Sequence, residues 1–230
     1  MSRHNHPAVF SVPQLYRFYR QLFAQLGPQH WWPGRTRFEV IIGAILTQNT
    51  NWINVEKTLR NLRRASALTP QELARLPQTE LTRLLRPSGY FRQKARKLRH
   101  FLHLLQQHYQ GLLSRMFRAP TARLRTELLA VNGIGEETAD SILLYAGRRP
   151  VFVIDSYTRR ILHRHRLARA NAPYWQLQRL FEANLPRDPQ LYNEYHALLV
   201  AVGKRYCHRR EPDCRACPLR PELEKPYETA

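Results

Sequence analysis

Apolar residues recur at helical spacing along most of the chain. Leu15, Phe18, Tyr19, Leu22, Phe23 and Leu26 fall at i, i+3, i+4 intervals, which predicts an amphipathic helix with one buried face. Val40 to Leu46 is apolar on every side and predicts a helix enclosed by its neighbours. The pattern continues through Trp52 to Leu62, Gln93 to Tyr109, Leu124 to Val131, Thr138 to Tyr145, Asp155 to His165, Tyr174 to Leu185 and Leu191 to Tyr206. Prolines at 70, 77, 87, 120, 150, 173, 186 and 189 are expected to separate these segments, because proline lacks the amide hydrogen that a helix interior requires. The fold class expected is therefore all-α. A length of 230 residues with 43% hydrophobic content supports a substantial core in one or two domains. No internal repeat, low-complexity block or glycine-rich loop of the P-loop or dinucleotide type is visible, which disfavours nucleotide-driven chemistry and a nucleotide cofactor.

Charge narrows the class of partner. Lys and Arg total 37 against 17 Asp and Glu, a formal charge of +20, and a polyanion is the natural complement. Only Lys57, Lys94, Lys97, Lys204 and Lys225 are lysines, so the chain relies on arginine, whose planar fork suits bidentate contacts with phosphate. A membrane surface would attract the same charge. However, no stretch approaches the roughly twenty apolar residues of a spanning helix, and Met1 to Pro7 leads into no signal-type apolar core. A cytoplasmic, nucleoid-associated protein is expected.

The segment Val131-Asn132-Gly133-Ile134-Gly135-Glu136-Glu137-Thr138-Ala139-Asp140 places two glycines around one apolar residue between two helical patterns. Such a turn can adopt backbone angles closed to other residues and point its amides outward to grip a phosphate backbone without reading sequence. An ordinary helical hairpin with glycine as its stop signal gives the same pattern. Asp155 follows the apolar run Val151 to Ile154; it suits a charged active-site acid and equally a helix N-cap. Cys207, Cys214 and Cys217 cluster in the last tenth of the chain, a spacing that suggests a metal or iron–sulfur site. The expected place of a fourth thiolate holds Leu223, so a decayed site in which the cysteines only pack or lie exposed remains open. His208, Arg209, Arg210 and Arg215 surround that loop with charge suited to DNA phosphates.

Five features in order carry a family resemblance: Leu46-Thr47-Gln48-Asn49-Thr50, Ser88-Gly89-Tyr90-Phe91-Arg92-Gln93-Lys94-Ala95, Gly133-Ile134-Gly135, Asp155, and His196 through Gly203 to Cys207. Over nearly its full length the chain resembles the endonuclease III branch of the helix-hairpin-helix (HhH-GPD) DNA glycosylase superfamily. The resemblance implies an all-α, two-lobed protein. One lobe would comprise residues 1–33 and 150–230, with Asp155 and the cysteine loop; the other would be a six-helix lobe, 34–149, with the hairpin at 131–140. It also implies a 4Fe–4S cluster, which Leu223 places in doubt, and a monomer acting on double-stranded DNA across a cleft into which a damaged base is flipped.

One departure changes the implied chemistry. The lysine that forms a Schiff base in endonuclease III corresponds to Glu137, and glutamate cannot form an imine. The expected activity is hydrolytic base excision, with Asp155 as the acid that stabilises the sugar cation and orients water, assisted by an acid such as Glu137. A bifunctional glycosylase and lyase for oxidised pyrimidines, using Lys204 or Lys94, is the alternative; a non-catalytic binder of damaged DNA is another. Trp31-Trp32-Pro33 resembles the 3-methyladenine glycosylases and suggests an indole pocket for a cationic alkylated purine, although paired tryptophans also bury interfaces. By family position Gln48 and Tyr90 would fill and wedge the vacated base stack, with Arg92, Lys94, Gly133, Ile134, Gly135, Thr138, Arg209 and Arg210 completing the DNA-binding set.

Overall fold

The structure is a computed structural model and describes residues 12–223. Among the described residues all regular secondary structure is helical: α1 (Val12–Leu26), α2 (Arg37–Leu46), α3 (Trp52–Arg64), α4 (Pro70–Arg75), α5 (Gln78–Leu84), α6 (Phe91–Tyr109), α7 (Leu113–Met116), α8 (Thr121–Ala130), α9 (Glu136–Ser141), α10 (Ser156–Arg164), α11 (Tyr174–Glu182) and α12 (Pro189–Arg205). No helix among them is long and apolar enough to cross a membrane. The chain divides into two compact units, Trp32–Val151 and the pair of segments Met1–Trp31 with Phe152–Ala230.

In the 32–151 unit, α2 is the hub. Every residue from Phe38 to Leu46 is buried, Val40 to Leu46 as their apolar run predicts, and α2 packs against α3, α6 and α9. Thr36 opens the helix by accepting a hydrogen bond from the Glu39 amide, 3.1 Å away. The Glu39 carboxylate is itself buried and meets the Arg63 guanidinium of α3, so the charge inside the hub is paired. Long amphipathic α6 buries Ala95, Leu98, Phe101, Leu102 and Leu105. Helix α9 runs on into a widened π turn over Ile142–Ala146, closed by Gly147 N–H to Ile142 O at 3.0 Å.

The second unit is built on α1, α10, α11 and α12. Leu15, Phe18 and Leu22 of the predicted stripe are buried, whereas Phe23, from the same stripe, is 39% exposed. Tyr195 of α12 ties the bundle to α1 by donating its hydroxyl hydrogen to Leu15 O at 2.8 Å. Phe152 stacks on Phe181 of α11 with centroids 3.8 Å apart. Helices α10 and α12 approach closely at Gly203 of α12, where a Cβ would lie 2.3 Å from Tyr157 Cδ1 of α10.

Three helices are absent from the sequence expectation: α4, α5 and α7. Each spans at most seven residues and buries only one or two side chains, Leu73, Leu81 with Leu84, and Met116, so no periodicity can accumulate. Pro70 and Pro189 each open a helix, sitting in its first turn, where the missing amide hydrogen costs nothing.

Candidate active site

Asp155 stands at the end of a buried, extended segment whose backbone is fixed by α11. Phe152 N–H donates to Glu182 Oε1 at 2.9 Å, Gln178 Nε2 donates to Phe152 O at 2.8 Å, and Ile154 N–H donates to the Tyr174 hydroxyl at 3.2 Å. Asp155 then caps α10, its Oδ1 accepting from Thr158 N–H at 2.7 Å. The N-cap alternative is thus realised, and it leaves a second function possible. Among the described residues, nothing donates to the other carboxylate oxygen, and the side chain keeps 12% of its exposure. His196 of α12 lies 3.9 Å away through Nε2 and is buried. Burial lowers the pKa of this imidazole, against the opposing pull of Asp155, so the ring favours its neutral form. His196 is part of a sequence motif, but nothing in the spacing signals its approach to Asp155.

In the 32–151 unit the hairpin joins α8 to α9. Gly133 takes φ +93°, a conformation that excludes most side chains, and Ile134 is buried beneath the turn. Gly135, Glu136 and Glu137 are exposed, and no side chain caps α9. A Cβ on Gly135 would meet only open space, so glycine is not required there by packing within the described protein. Arg125 of α8 clamps the fully buried Asp140 of α9 in a bidentate pair, at 2.7 and 2.9 Å, and approaches Glu136 at 3.9 Å. Gln48, just beyond α2, reaches the hairpin: its Nε2 donates to Gly133 O at 3.0 Å and to Thr138 Oγ1 at 2.9 Å. Thr138, expected in the DNA-binding set, is buried, and its hydroxyl accepts from Gln48.

Tyr90 is 62% exposed and projects from a turn in which Gly89 and Tyr90 both take positive φ, +66° and +47°. Arg92 is exposed beside it. Lys94 is not: it is 2% exposed and its Nζ donates to Ser88 O at 2.6 Å, which corrects its expected place on a phosphate-facing surface. Leu98, four residues on, shares its face of α6 and is buried. Desolvation, with repulsion from Lys97, lowers the pKa of Lys94 to about 8.

The two tryptophans fall in different units. Trp32 lies against Gly43, crosses Trp52 edge-on at 5.2 Å and approaches Tyr145 at 5.0 Å, an aromatic cluster within the 32–151 unit. Trp31 carries the Lys204 ammonium 5.7 Å above its ring, and Pro33 is exposed.

The family model for HhH-GPD superfamily base excision DNA repair proteins matches residues 42–187, a span containing Gln48, the Tyr90 turn, the hairpin and Asp155. The chain belongs to the HhH-GPD superfamily. Among its relatives, a Methanocaldococcus jannaschii protein provisionally assigned as a DNA repair glycosylase is 41% identical over 90% of this chain and 94% of its own. Endonuclease III of Thermotoga maritima is 30% identical over 81% of this chain and 82% of its own. Of solved structures, the 3-methyladenine DNA glycosylase of H. pylori bound to 1,N6-ethenoadenine is similar with TM-score 0.75 and 28% identity, covering 85% of this chain and 98% of that one. An endonuclease III–DNA complex has the same fold, with TM-score 0.80, 22% identity and 94% and 96% coverage. The protein is thus an all-α DNA repair glycosylase of base excision repair.

Within this HhH-GPD protein the cysteine loop does not fit a four-thiolate cluster. Leu223 occupies the fourth position, and among the described residues no group of three or more His, Cys, Asp or Glu is arranged to hold a metal ion. Arginines fasten the loop instead. Arg164 of α10 donates to His208 O at 2.6 Å, to Arg209 O at 3.1 Å and to Cys207 Sγ at 3.2 Å, while Arg160 donates to Cys207 O at 2.8 Å. Burial, together with the neighbouring cysteines, raises the thiol pKa of Cys214 and pushes that of Cys217 to about 11. Arg209 and Arg210 remain exposed on this loop.

Proposed function

We propose that this glycosylase is monofunctional and hydrolyses the bond between deoxyribose and an alkylated purine in double-stranded DNA. The carrying observation is the pair of acids at the matched positions. Glu137 is exposed where a lyase would present an amine, and Asp155 is held rigidly with one carboxylate oxygen unused by its cap. Glutamate offers no nitrogen to form an imine, so water is the nucleophile.

A purine alkylated on a ring nitrogen is cationic and leaves with the glycosidic electron pair as a neutral base. The sugar then carries positive charge at C1′, which the Asp155 carboxylate stabilises. Water adds to C1′ and its proton passes to Asp155 or to solvent, leaving an abasic deoxyribose. An aromatic platform suits such a leaving group, since an indole face attracts a cation, and Trp32 in its aromatic cluster is the preferred platform. The likeness to the H. pylori 3-methyladenine glycosylase supports this substrate class.

The test is a panel of single-lesion duplexes, bearing alkylated purines or oxidised pyrimidines, incubated with wild type and Asp155→Asn and then heated in alkali to break abasic sites. Strand breaks at alkylated purines alone, lost in the variant, are expected. Cleavage at oxidised pyrimidines alone, or no cleavage anywhere, overturns the assignment.

A further inference from the structure

We propose that Lys94 and Lys97 of α6 are positioning residues, which anchor the Tyr90 turn and the Gly133–Gly135 hairpin to one helix rather than contacting DNA phosphates. The proposal rests on the reading that these two turns meet DNA. Three residues apart, the lysines share one face of α6, but each reaches a different turn.

Lys94 holds the Tyr90 turn from beneath. Its Nζ donates to the carbonyl of Ser88, whose own hydroxyl donates to Leu85 O at 2.8 Å. The two residues that follow both take positive φ, and for Tyr90 this left-handed geometry is strained by its Cβ. Such a conformation persists only where its surroundings fix it. A buried donor on the preceding carbonyl does so, and the exposed ring is thereby presented at a set angle.

Lys97 holds the hairpin through Gln48 and through direct packing. Its ammonium donates to Gln48 Oε1. The amide's nitrogen donates to Gly133 O and Thr138 Oγ1, so both ends of the Gln48 side chain are engaged and its orientation is determined. The lysine stem also covers the turn: a Cβ on Gly133 would lie 2.5 Å from Lys97 Cγ, 2.7 Å from Cε and 2.8 Å from Cδ. Gly133 is therefore required twice, by its φ and by this stem. Arg92 and Arg96, exposed on the same helix, are free of these duties and suit phosphate.

Salt dependence separates the two roles. A phosphate contact contributes about 0.9 to the slope of log K against log salt, whereas a positioning residue contributes nothing. The experiment measures binding to a duplex with a tetrahydrofuran abasic analogue across a salt series, and single-turnover excision from a lesion duplex. The variants are Lys94→Met, Lys94→Gln, Lys97→Met and, for comparison, Arg92→Ala. Lys94→Met and Lys97→Met are expected to keep the wild-type slope yet lose about 10-fold or more in excision, the scale of a small misplacement. Arg92→Ala is expected to lower the slope. Lys94→Gln retains a neutral donor for Ser88 O, so it is expected to recover most of the rate, and it serves if the Met variant does not fold. Adding Lys97→Met to Gln48→Ala, or Lys94→Met to Tyr90→Ala, is expected to cost nothing further. A slope reduced by about 0.9 for either lysine, or additive losses in both pairs, overturns the proposal. The binding arm needs no particular lesion, so its result holds even if the substrate assignment fails.

Discussion

His196 Nε2 lies 3.9 Å from Asp155 Oδ1, a buried imidazole beside a carboxylate that is only partly closed off. Because burial favours the neutral ring, His196 borders Asp155 without cancelling its charge. Under the proposed hydrolysis, a developing sugar cation would meet this carboxylate, and a charge placed in that way stabilises it electrostatically.

Asp155 caps α10, and the proposed function gives it a second, separable role as a charge. Asparagine preserves an N-cap, so Asp155→Asn is expected to retain the wild-type urea midpoint while single-turnover excision falls about 100-fold or more. Asp155→Ala is expected to lose the same activity and in addition about 1 kcal/mol of stability. Equal excision by Asp155→Asn and wild type contradicts the charge role.

Acid should weaken the fold through two histidines. Burial lowers the pKa of both His165 and His196 below the ordinary 6.5. Below pH 6.5 the unfolded chain therefore binds protons that the folded one refuses, and stability present above 6.5 is lost as the pH falls. Urea midpoints measured from pH 7.5 to 5 are expected to decline, with a smaller decline in His196→Gln. An identical slope in that variant excludes His196 as a source.

An ion pair with a fully buried carboxylate, Arg125 with Asp140, joins the hairpin helices. Removing its cation by Arg125→Met leaves the Asp140 carboxylate, fully buried, without its bidentate partner, a loss of about 3–5 kcal/mol. Asp140→Asn, which keeps the shape, is expected to cost less. Equilibrium unfolding of both variants checks the order.

The cysteine loop should hold its shape without iron. The freshly purified protein is expected to show no visible iron–sulfur absorption, and prolonged chelation is expected to leave hydrogen exchange around Cys207 and Arg209 unchanged. Arg164→Ala, by contrast, should accelerate exchange there, because three carbonyl and thiol contacts are lost together.

Much of this arrangement is legible in sequence where a pattern is long or a residue type is restrictive. The apolar run Val40 to Leu46 of α2, the stripe of α6 and the Gly133 turn announce themselves, since burial or φ dictates the residues. Asp155 is legible as an N-cap, and its chemical reading comes from the family motif. The side-chain reach of α6 is not legible. Lys94 and Lys97 look like neighbours of Arg92 and Arg96 on a charged surface, yet burial of Lys94 and the link from Lys97 to Gln48 depend on turns distant in sequence. The approach of His196 to Asp155 is hidden for the same reason, because it follows from α12 packing on α10 at Gly203.

The most direct test of hydrolysis by Asp155 without an amine is borohydride treatment during turnover on a duplex carrying an alkylated purine. The predicted result is an alkali-labile abasic site and no covalent protein–DNA adduct. A borohydride-stable adduct formed by the wild type, through Lys204 or any other amine, would contradict it.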